Sequence, residues 1–174
     1  MDILNQFQIK FKGFESHGTG LINSTWKVFG EDKNYILQRI NNNVFKHPGD
    51  IDFNIQLIDK HLNKYHPDYF FVAPIKTKSG SGIYFSEKHG WFRVSPFVED
   101  SVTIVVVQTP EQAYEAAFQF GKFTGVLSDL DATKLKITIP DFHNLELRYE
   151  QFLTAMNNGN NDRRKESEEY IQKL

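Results

Sequence analysis

The sequence predicts an α+β fold, in which a five-stranded antiparallel sheet with one inserted helix precedes a helical segment. Two observations predict it. Within the first hundred residues, short stretches alternate apolar and polar side chains at a period of two, and one longer stretch has the helical period of 3.6. After Asp100 only helical patterns remain. We therefore expect a sheet-bearing part at residues 1–100 and a helical part at 101–174.

A meander of three strands is expected first. Apolar and polar residues alternate from Phe7 to Lys12, as in a half-buried strand. The second strand carries Ile22, Trp26 and Val28 on one face, and the third runs from Tyr35 to Ile40. Glycine-bearing turns separate the three strands. They are the stretches at 17–20 and 30–34.

The inserted helix and a hairpin come next. Pro48 and Asp50 suit a helix start, and Pro67 marks its end. A hairpin with its loop at 87–90 then joins strands at 82–86 and 91–97. The apolar residues of the helix recur at spacings of four and three, which predicts one buried stripe. They are Ile51, Ile55, Ile58, Leu62 and Tyr65.

Three helices are expected in the second part. Thr109, Pro110 and Gln112 have the spacing of a capping box, and the helix that follows extends to about Asp129. Gly121 and Gly125 lie four apart in it, which suggests a closely approaching neighbour. Two further helices are expected from about 142 and over 163–174, separated by a polar loop at 157–162.

Composition excludes several classes of protein. The 174 residues carry a net charge of −2, which argues against a nucleic-acid partner held through phosphates. There is no cysteine, so disulfides, thiolate metal sites and thiol nucleophiles are excluded. The apolar run Ile104–Val107 is far too short to span a bilayer, and the N-terminus does not resemble a signal peptide. We expect a cytoplasmic protein without a membrane partner.

The turn Gly18-Thr19-Gly20 is the first candidate binding element. Glycines between two antiparallel strands let the backbone approach a phosphate and turn its N–H groups toward it. Most glycine-bearing turns between strands are only turns, so this motif alone decides nothing. Asn23 and Thr25 follow it, and their side chains would either meet a phosphate or brace the loop by hydrogen bonds.

Longer segments resemble a known kinase family. The pattern G-x-G-x-I-N-x-T at 18–25 and the run ILQRIN at 36–41 are similar to bacterial N-acetylhexosamine kinases, within the aminoglycoside phosphotransferase and choline kinase-like group. GWFRVSPFVEDS, QTPEQAYEAAFQFGKF and IPDFH extend the resemblance over at least 11–152. It implies a protein-kinase-like N-lobe at 1–100 and the first helices of a truncated C-lobe at 101–174.

The resemblance also implies a nucleotide site. A hinge at 96–100 would hydrogen-bond the adenine edge, with Ile22, Ile36 and Phe97 either packing on the ring or filling the core. For the cation that holds the phosphates we expect Arg39 and not Gln38, because that contact needs charge, although relatives carry the basic residue at the position of Gln38. The candidate residues are Gly18, Thr19, Gly20, Ile22, Asn23, Thr25, Ile36, Gln38, Arg39, Pro96, Phe97 and Val98.

The inserted helix should supply a carboxylate partner for that cation. It offers Asp52 and Asp59, whereas relatives carry a glutamate where this chain has Phe53. Asp52 would equally complement the positive end of the helix dipole. The six histidines show no metal spacing, so no metal ligands are expected in the chain.

The catalytic pattern H-G/N-D-x-x-x-x-N is absent from the sequence. The function expected is therefore the nucleotide-binding, N-terminal portion of an ATP- and Mg²⁺-dependent phosphotransferase that acts on a hydroxyl of a small molecule, an amino sugar by resemblance. The chain alone would be inactive and would self-associate through its C-terminal helices. The alternative is a non-catalytic, pseudokinase-like module that binds nucleotide or a partner protein.

Overall fold

A computed structural model describes residues 2–18 and 20–173 and confirms the α+β class. Two compact units, Met1–Thr138 and Ile139–Leu174, make up the chain. The expected lobe boundary at residue 100 is a different division and stays a prediction. The first unit holds α1 (Asp2–Gln6), β1 (Phe11–Ser16), β2 (Ser24–Gly30), β3 (Asn34–Arg39), α2 (Pro48–Tyr65), β4 (Tyr84–Ser86), β5 (Gly90–Pro96), α3 (Pro110–Val126) and a 3₁₀ turn (Ala132–Lys134). The second holds α4 (Leu145–Asn158), α5 (Asn161–Glu166) and α6 (Glu168–Ile171).

The five strands form one antiparallel sheet in the order β1-β2-β3-β5-β4. Side chains alternate across a strand, so residues paired in register share a face. Trp26, Leu37 and Val94 are paired across three strands and mark the face that packs the core. The opposite face, called here the polar face, carries Glu15, Thr25, Lys27, Ile36, Gln38, Arg93 and Ser95, together with the aromatic residues Phe29, Phe85 and Trp91.

The hydrophobic core lies between the core face and the N-terminal segment. Leu4 of α1 and the two residues Phe7 and Ile9 are buried against the sheet. Val28 and Val94 in the sheet centre are fully buried. Each such side chain contributes roughly 1.5–3 kcal/mol relative to an exposed position. The sheet is therefore fixed from one side and leaves the polar face for other contacts.

The first predicted strand was placed too early in the chain. The backbone turns after α1, where Gln8 adopts a φ of 57°, and β1 begins only at Phe11. The N–H of Phe7 donates to the carbonyl of Leu4 in that turn. Phe7 and Ile9 are thus buried because a turn folds onto the sheet. A period of two in burial does not distinguish such a turn from a strand.

Polar side chains anchor α2 to the rest of the first unit. The helix begins at Pro48 and ends at Tyr65, close to its predicted limits. The amide of Asn54 donates to the Lys136 carbonyl and accepts from the Lys136 N–H, both at 2.8 Å. Nε2 of buried His61 lies 3.0 Å from Oδ1 of Asp129 and 3.3 Å from the Val126 carbonyl. These contacts join α2 to the last residue of α3 and to the segment that follows it.

Helix α3 begins as its sequence predicts. Thr109 Oγ1 accepts from the N–H of Gln112, while Gln112 Oε1 accepts from the N–H of Gln108, one residue before the position that a capping box uses. The close neighbour expected at Gly121 and Gly125 is not found. Within the described residues no atom outside the helix backbone lies within 4 Å of a Cβ built at either glycine.

The second unit is helical. Asn144 caps α4 by accepting from the N–H of Leu147 at 3.0 Å. The single helix predicted at 163–174 is instead two helices, α5 and α6, separated by Ser167. The first of them begins earlier than predicted, after the capping residue Asn160, and ends at Glu166. Leu174 lies outside the described residues. None of the described helices combines the length and apolar character that a bilayer crossing requires.

Candidate functional site

A row of polar side chains crosses the middle of the polar face. Gln38 Nε2 donates to Thr25 Oγ1 at 3.2 Å, and Arg93 Nε donates to Gln38 Oε1 at 3.0 Å. The register pairs Thr25 with Gln38 and Gln38 with Arg93, so the row follows directly from strand pairing. Because both ends of its amide are engaged, Gln38 is held in one orientation and in turn orients the guanidinium of Arg93.

Arg93 is a charged residue in an interior strand. Burial lowers the pKa of Arg93 from its ordinary value, although an arginine stays charged at neutral pH. Among residues 2–18 and 20–173, no carboxylate lies within 4.0 Å of its guanidinium, and no side chain or carbonyl accepts from its terminal nitrogens. The sequence analysis missed this residue. Its signal was a lone cation among the alternating residues in the second strand of the hairpin.

Aromatic and basic groups meet at the hinge end of the polar face. Lys27 Nζ lies 3.8 Å from the centroid of the Phe97 ring, a cation–π contact. The ring of His17 approaches the same phenylalanine edge-on at 5.8 Å between centroids. Ile36 is paired with Lys27 on this face and is half-buried. The structure therefore brings Phe97, Ile36, Thr25 and Gln38 to one side of the sheet.

The segment after β5 offers an unused backbone donor. The N–H of Phe97 donates to the Asn34 carbonyl at 3.0 Å, which continues the pairing beyond Pro96. The Val98 carbonyl accepts from Ser101 Oγ at 2.6 Å. Within the described part of the chain, the Val98 N–H makes no hydrogen bond. That N–H is available to an acceptor on a bound molecule.

The glycine turn is described in part. Gly18 has a φ of +74°, a conformation that glycine adopts without strain, and Gly20 is exposed. Thr19 lies outside the described residues. Asn23 Oδ1 accepts from the N–H of Asn41 at 3.0 Å, and the Asn41 side chain donates to the Ile22 carbonyl at 3.2 Å. Asn23 thus braces the loop, which is one of the two roles expected for it.

Arg39 lies on the other side of the sheet from Gln38. Its register partner is Phe92, so it belongs to the core face, and its side chain is exposed. With Ile22, Ser24 and 41–43 it lines a cavity of about 340 Å³ at the end of β3. The candidates therefore divide into two groups, and the expected preference for Arg39 is incompatible with a site that uses Thr25, Ile36 and Phe97.

Asp52 is used as a structural acceptor. Its Oδ2 accepts from Gln56 Nε2 at 2.7 Å, from Ser81 Oγ at 3.1 Å and from the Gly82 N–H at 3.2 Å. Its Oδ1 is buried without a partner among the described residues. The carboxylate is thus occupied with the loop before β4, and the expected pairing with a cation of β3 is not formed by Asp52.

One group of side chains has the composition of a metal site. Ligand atoms of His61, His66 and Asp129 lie within 4.8 Å of one another, although five residues separate the histidines in sequence. His61 Nε2 is already bound to Asp129 and to the Val126 carbonyl. These contacts account for the cluster as a link between α2 and the segment after α3.

The five-stranded antiparallel sheet with its helices matches the kinase-like N-lobe of aminoglycoside phosphotransferases. The structure is similar to APH(2'')-IIia in its GDP and kanamycin complex, with a TM-score of 0.61 and 16% identity over 98% of this chain and 55% of that one. Spectinomycin phosphotransferase APH(9)-Ia, solved with ADP and spectinomycin, aligns over 69% of this chain and 33% of its own, at 17% identity and a TM-score of 0.48.

The chain spans about half the length of APH(2'')-IIia and a third of APH(9)-Ia. No protein-family model matches it.

Proposed function

We propose that the chain is the nucleotide-binding portion of an ATP-dependent phosphotransferase that acts on a hydroxyl of a small molecule. The observation that carries the proposal is the polar face. It presents Lys27 and Arg93 next to a hinge with an open N–H at Val98, on a kinase-like fold. The similar structure of APH(2'')-IIia was solved with GDP, which supports a nucleotide as the ligand.

The adenine ring would lie at the hinge end of the polar face. Ile36 and Phe97 provide apolar surface, and the Val98 N–H is the donor for a ring nitrogen. Lys27 already lies on the Phe97 ring, so a base that takes this position must share the ring with that ammonium group or displace it. The phosphates would then extend toward the row Thr25–Gln38–Arg93, beneath the loop that contains Gly18 and Gly20.

The residues of the polar face do not fit a Mg²⁺ site. Mg²⁺ prefers carboxylate oxygens in proteins, together with phosphate and water. On the described strands, Glu15 of the edge strand β1 is the one carboxylate on this face, and it is opposite Lys27. Three strand spacings, about 14 Å, separate it from Arg93. No step through a metal is therefore assigned to these residues.

Nucleotide binding tests the proposal directly. Calorimetric titration of the chain with ATP and with GTP should give saturable 1:1 binding, weaker for a nucleoside than for its triphosphate. Ile36→Asp should reduce the affinity, because it puts an anion next to the proposed base and phosphates. Phe70→Asp is the control, because it adds the same charge at an exposed position outside the sheet, between α2 and β4. Lack of any nucleotide binding would refute the proposal.

The acceptor that we propose is an amino sugar, a proposal based on the resemblance of 18–25 and 36–41 to hexosamine kinases. The sequence lacks the catalytic aspartate pattern, so the chain alone should not turn over ATP in the presence of Mg²⁺ and a panel of hexosamines. Turnover above the buffer rate that is lost on changing a residue of this chain would contradict this expectation.

A second candidate function is a non-catalytic module that binds nucleotide or protein, and exposed apolar surface favours it. Tyr114 and Phe118 stack on α3 while more than half exposed, and the run 104–107 is exposed as well. We propose that this surface allows two copies to associate. Light scattering across a concentration series should show a dimer, and Phe118→Glu should shift it to monomer. A monomer at every concentration would contradict self-association.

A further inference from the structure

Arg93 is a cation of the polar face whose hydrogen-bonding capacity is only partly used. Its guanidinium has five N–H donors, and one of them, on Nε, donates to Gln38. The described residues supply no acceptor for the terminal nitrogens and no carboxylate within 4.0 Å. A half-buried arginine kept for stability normally has such partners, since burying an unpaired charge disfavours folding.

The geometry around Arg93 resembles a binding group held ready for a ligand. Thr25 fixes the amide of Gln38, and Gln38 Oε1 fixes Nε, so the fork of terminal nitrogens is oriented before any ligand arrives. A planar guanidinium of this kind binds two phosphate oxygens at once. Lys27 adds a second positive charge on the same face, in β2, two strands away from Arg93 and paired in register with Ile36.

Kinase-like enzymes hold the α- and β-phosphates with a cation of the third strand. In β3 the residue on the polar face is the neutral Gln38, whereas Arg39 points to the core face. A neutral amide cannot supply that charge. We propose, on the basis of the proposed nucleotide site, that Arg93 of β5 supplies it in place of a β3 residue, with Gln38 as the group that positions it against a diphosphate.

The decisive comparison is between two arginines on opposite faces. Arg93→Gln should weaken ATP and ADP binding by about 10- to 100-fold, the effect of losing a charge-assisted phosphate contact. The same variant should change adenosine binding less than about 2-fold, because a nucleoside has no phosphate. Arg39→Gln removes an equal charge from the core face and should leave all three affinities within about 2-fold. All proteins are measured by calorimetry at two ionic strengths, with circular dichroism as a check of folding.

The positioning role of Gln38 has its own readout. Gln38→Leu should weaken ATP binding by about 3- to 10-fold, and Arg93→Gln combined with Gln38→Leu should be no weaker than Arg93→Gln alone. Arg93→Lys restores charge without the fork and should lie between wild type and Arg93→Gln. A structural role of Arg93 would instead lower adenosine and ATP affinity in parallel.

The outcomes separate the two proposals. If wild type binds ATP and Arg93→Gln binds it equally well, the inference about Arg93 is wrong and the nucleotide site stands. A loss in Arg39→Gln equal to that in Arg93→Gln would also overturn it, since a general charge effect would then be responsible. If wild type binds neither ATP nor ADP, the proposed function fails and the inference fails with it.

Discussion

Replacing Asp52 by alanine should destabilise the first unit by about 3 kcal/mol. Three hydrogen bonds to the charged Oδ2 are lost, from Gln56, Ser81 and the Gly82 N–H, and each is worth about 1.5 kcal/mol at the low end for a charged acceptor. Removing the buried, unpartnered Oδ1 returns about 1–2 kcal/mol. The difference leaves a net loss of about 3 kcal/mol.

The effect is measured by urea unfolding. With a slope of about 1–3 kcal/mol/M, a loss of this size moves the midpoint by about 1–3 M. Asp59→Ala is the matched control, since it removes another carboxylate from α2. The Asp59 carboxylate makes no hydrogen bond within the described residues. It should change the midpoint little. Equal shifts for Asp52→Ala and Asp59→Ala would refute the assigned role of Asp52.

Gly82 provides a second test of the same contact. A Cβ built on Gly82 would overlap Oδ1 of Asp52, and its next nearest side-chain group is Pro74 at 3.6 Å. Gly82→Ala should therefore destabilise the wild type by about 1–3 kcal/mol. In the Asp52→Ala background the overlap is gone, so adding Gly82→Ala should change little. Additive losses in the double variant would show that the carboxylate does not fill the space beside Gly82.

Other expectations follow from single contacts. His61→Gln should reduce stability by about 1–2 kcal/mol and speed amide exchange near residues 126–129, because the link from α2 to Asp129 is weakened; unchanged exchange would contradict this. Gly121→Ala should raise the unfolding free energy by about 0.5–1 kcal/mol in denaturant titration, since a Cβ meets no neighbour there; a loss would reveal a contact. Arg93→Met should keep or raise the melting temperature, because burial lowers the pKa of Arg93 and so disfavours its charged form in the folded state; a lower one would indicate a structural role.

The sequence patterns were sufficient for the sheet beyond its first strand and for α2. Apolar alternation, the turns and the capping residues each act locally, so β2, β3 and α2 lie within two residues of their expected limits. The N-terminal segment was mistaken for a strand because burial of Phe7 and Ile9 comes from packing against residues far along the chain. At these residues the alternation of apolar and polar side chains predicts which side chains are buried, but it does not predict the backbone conformation.

The candidate site was predicted less completely. Alternation shows that Gln38 and Arg39 lie on opposite faces but does not say which face holds the core. That depends on Leu4 and Phe7 covering one side, a contact between distant segments. Arg93 was missed for the same reason, since its relation to Gln38 exists only once β3 and β5 are paired. The loop residue Thr19 lies outside the described residues, so its expected role stays a prediction.

The neighbouring positions Gln38 and Arg39 on opposite faces of β3 have a consequence for comparing this chain with its relatives. An alignment shifted by one column across this strand exchanges a residue of the polar face for one of the core face. A relative with a basic residue in β3 is therefore best aligned through Leu37, whose burial fixes the phase of the strand. Basic residues at the paired positions of Gln38 and Arg93 should then vary inversely, because one cation at this pair supplies the phosphate contact that we propose.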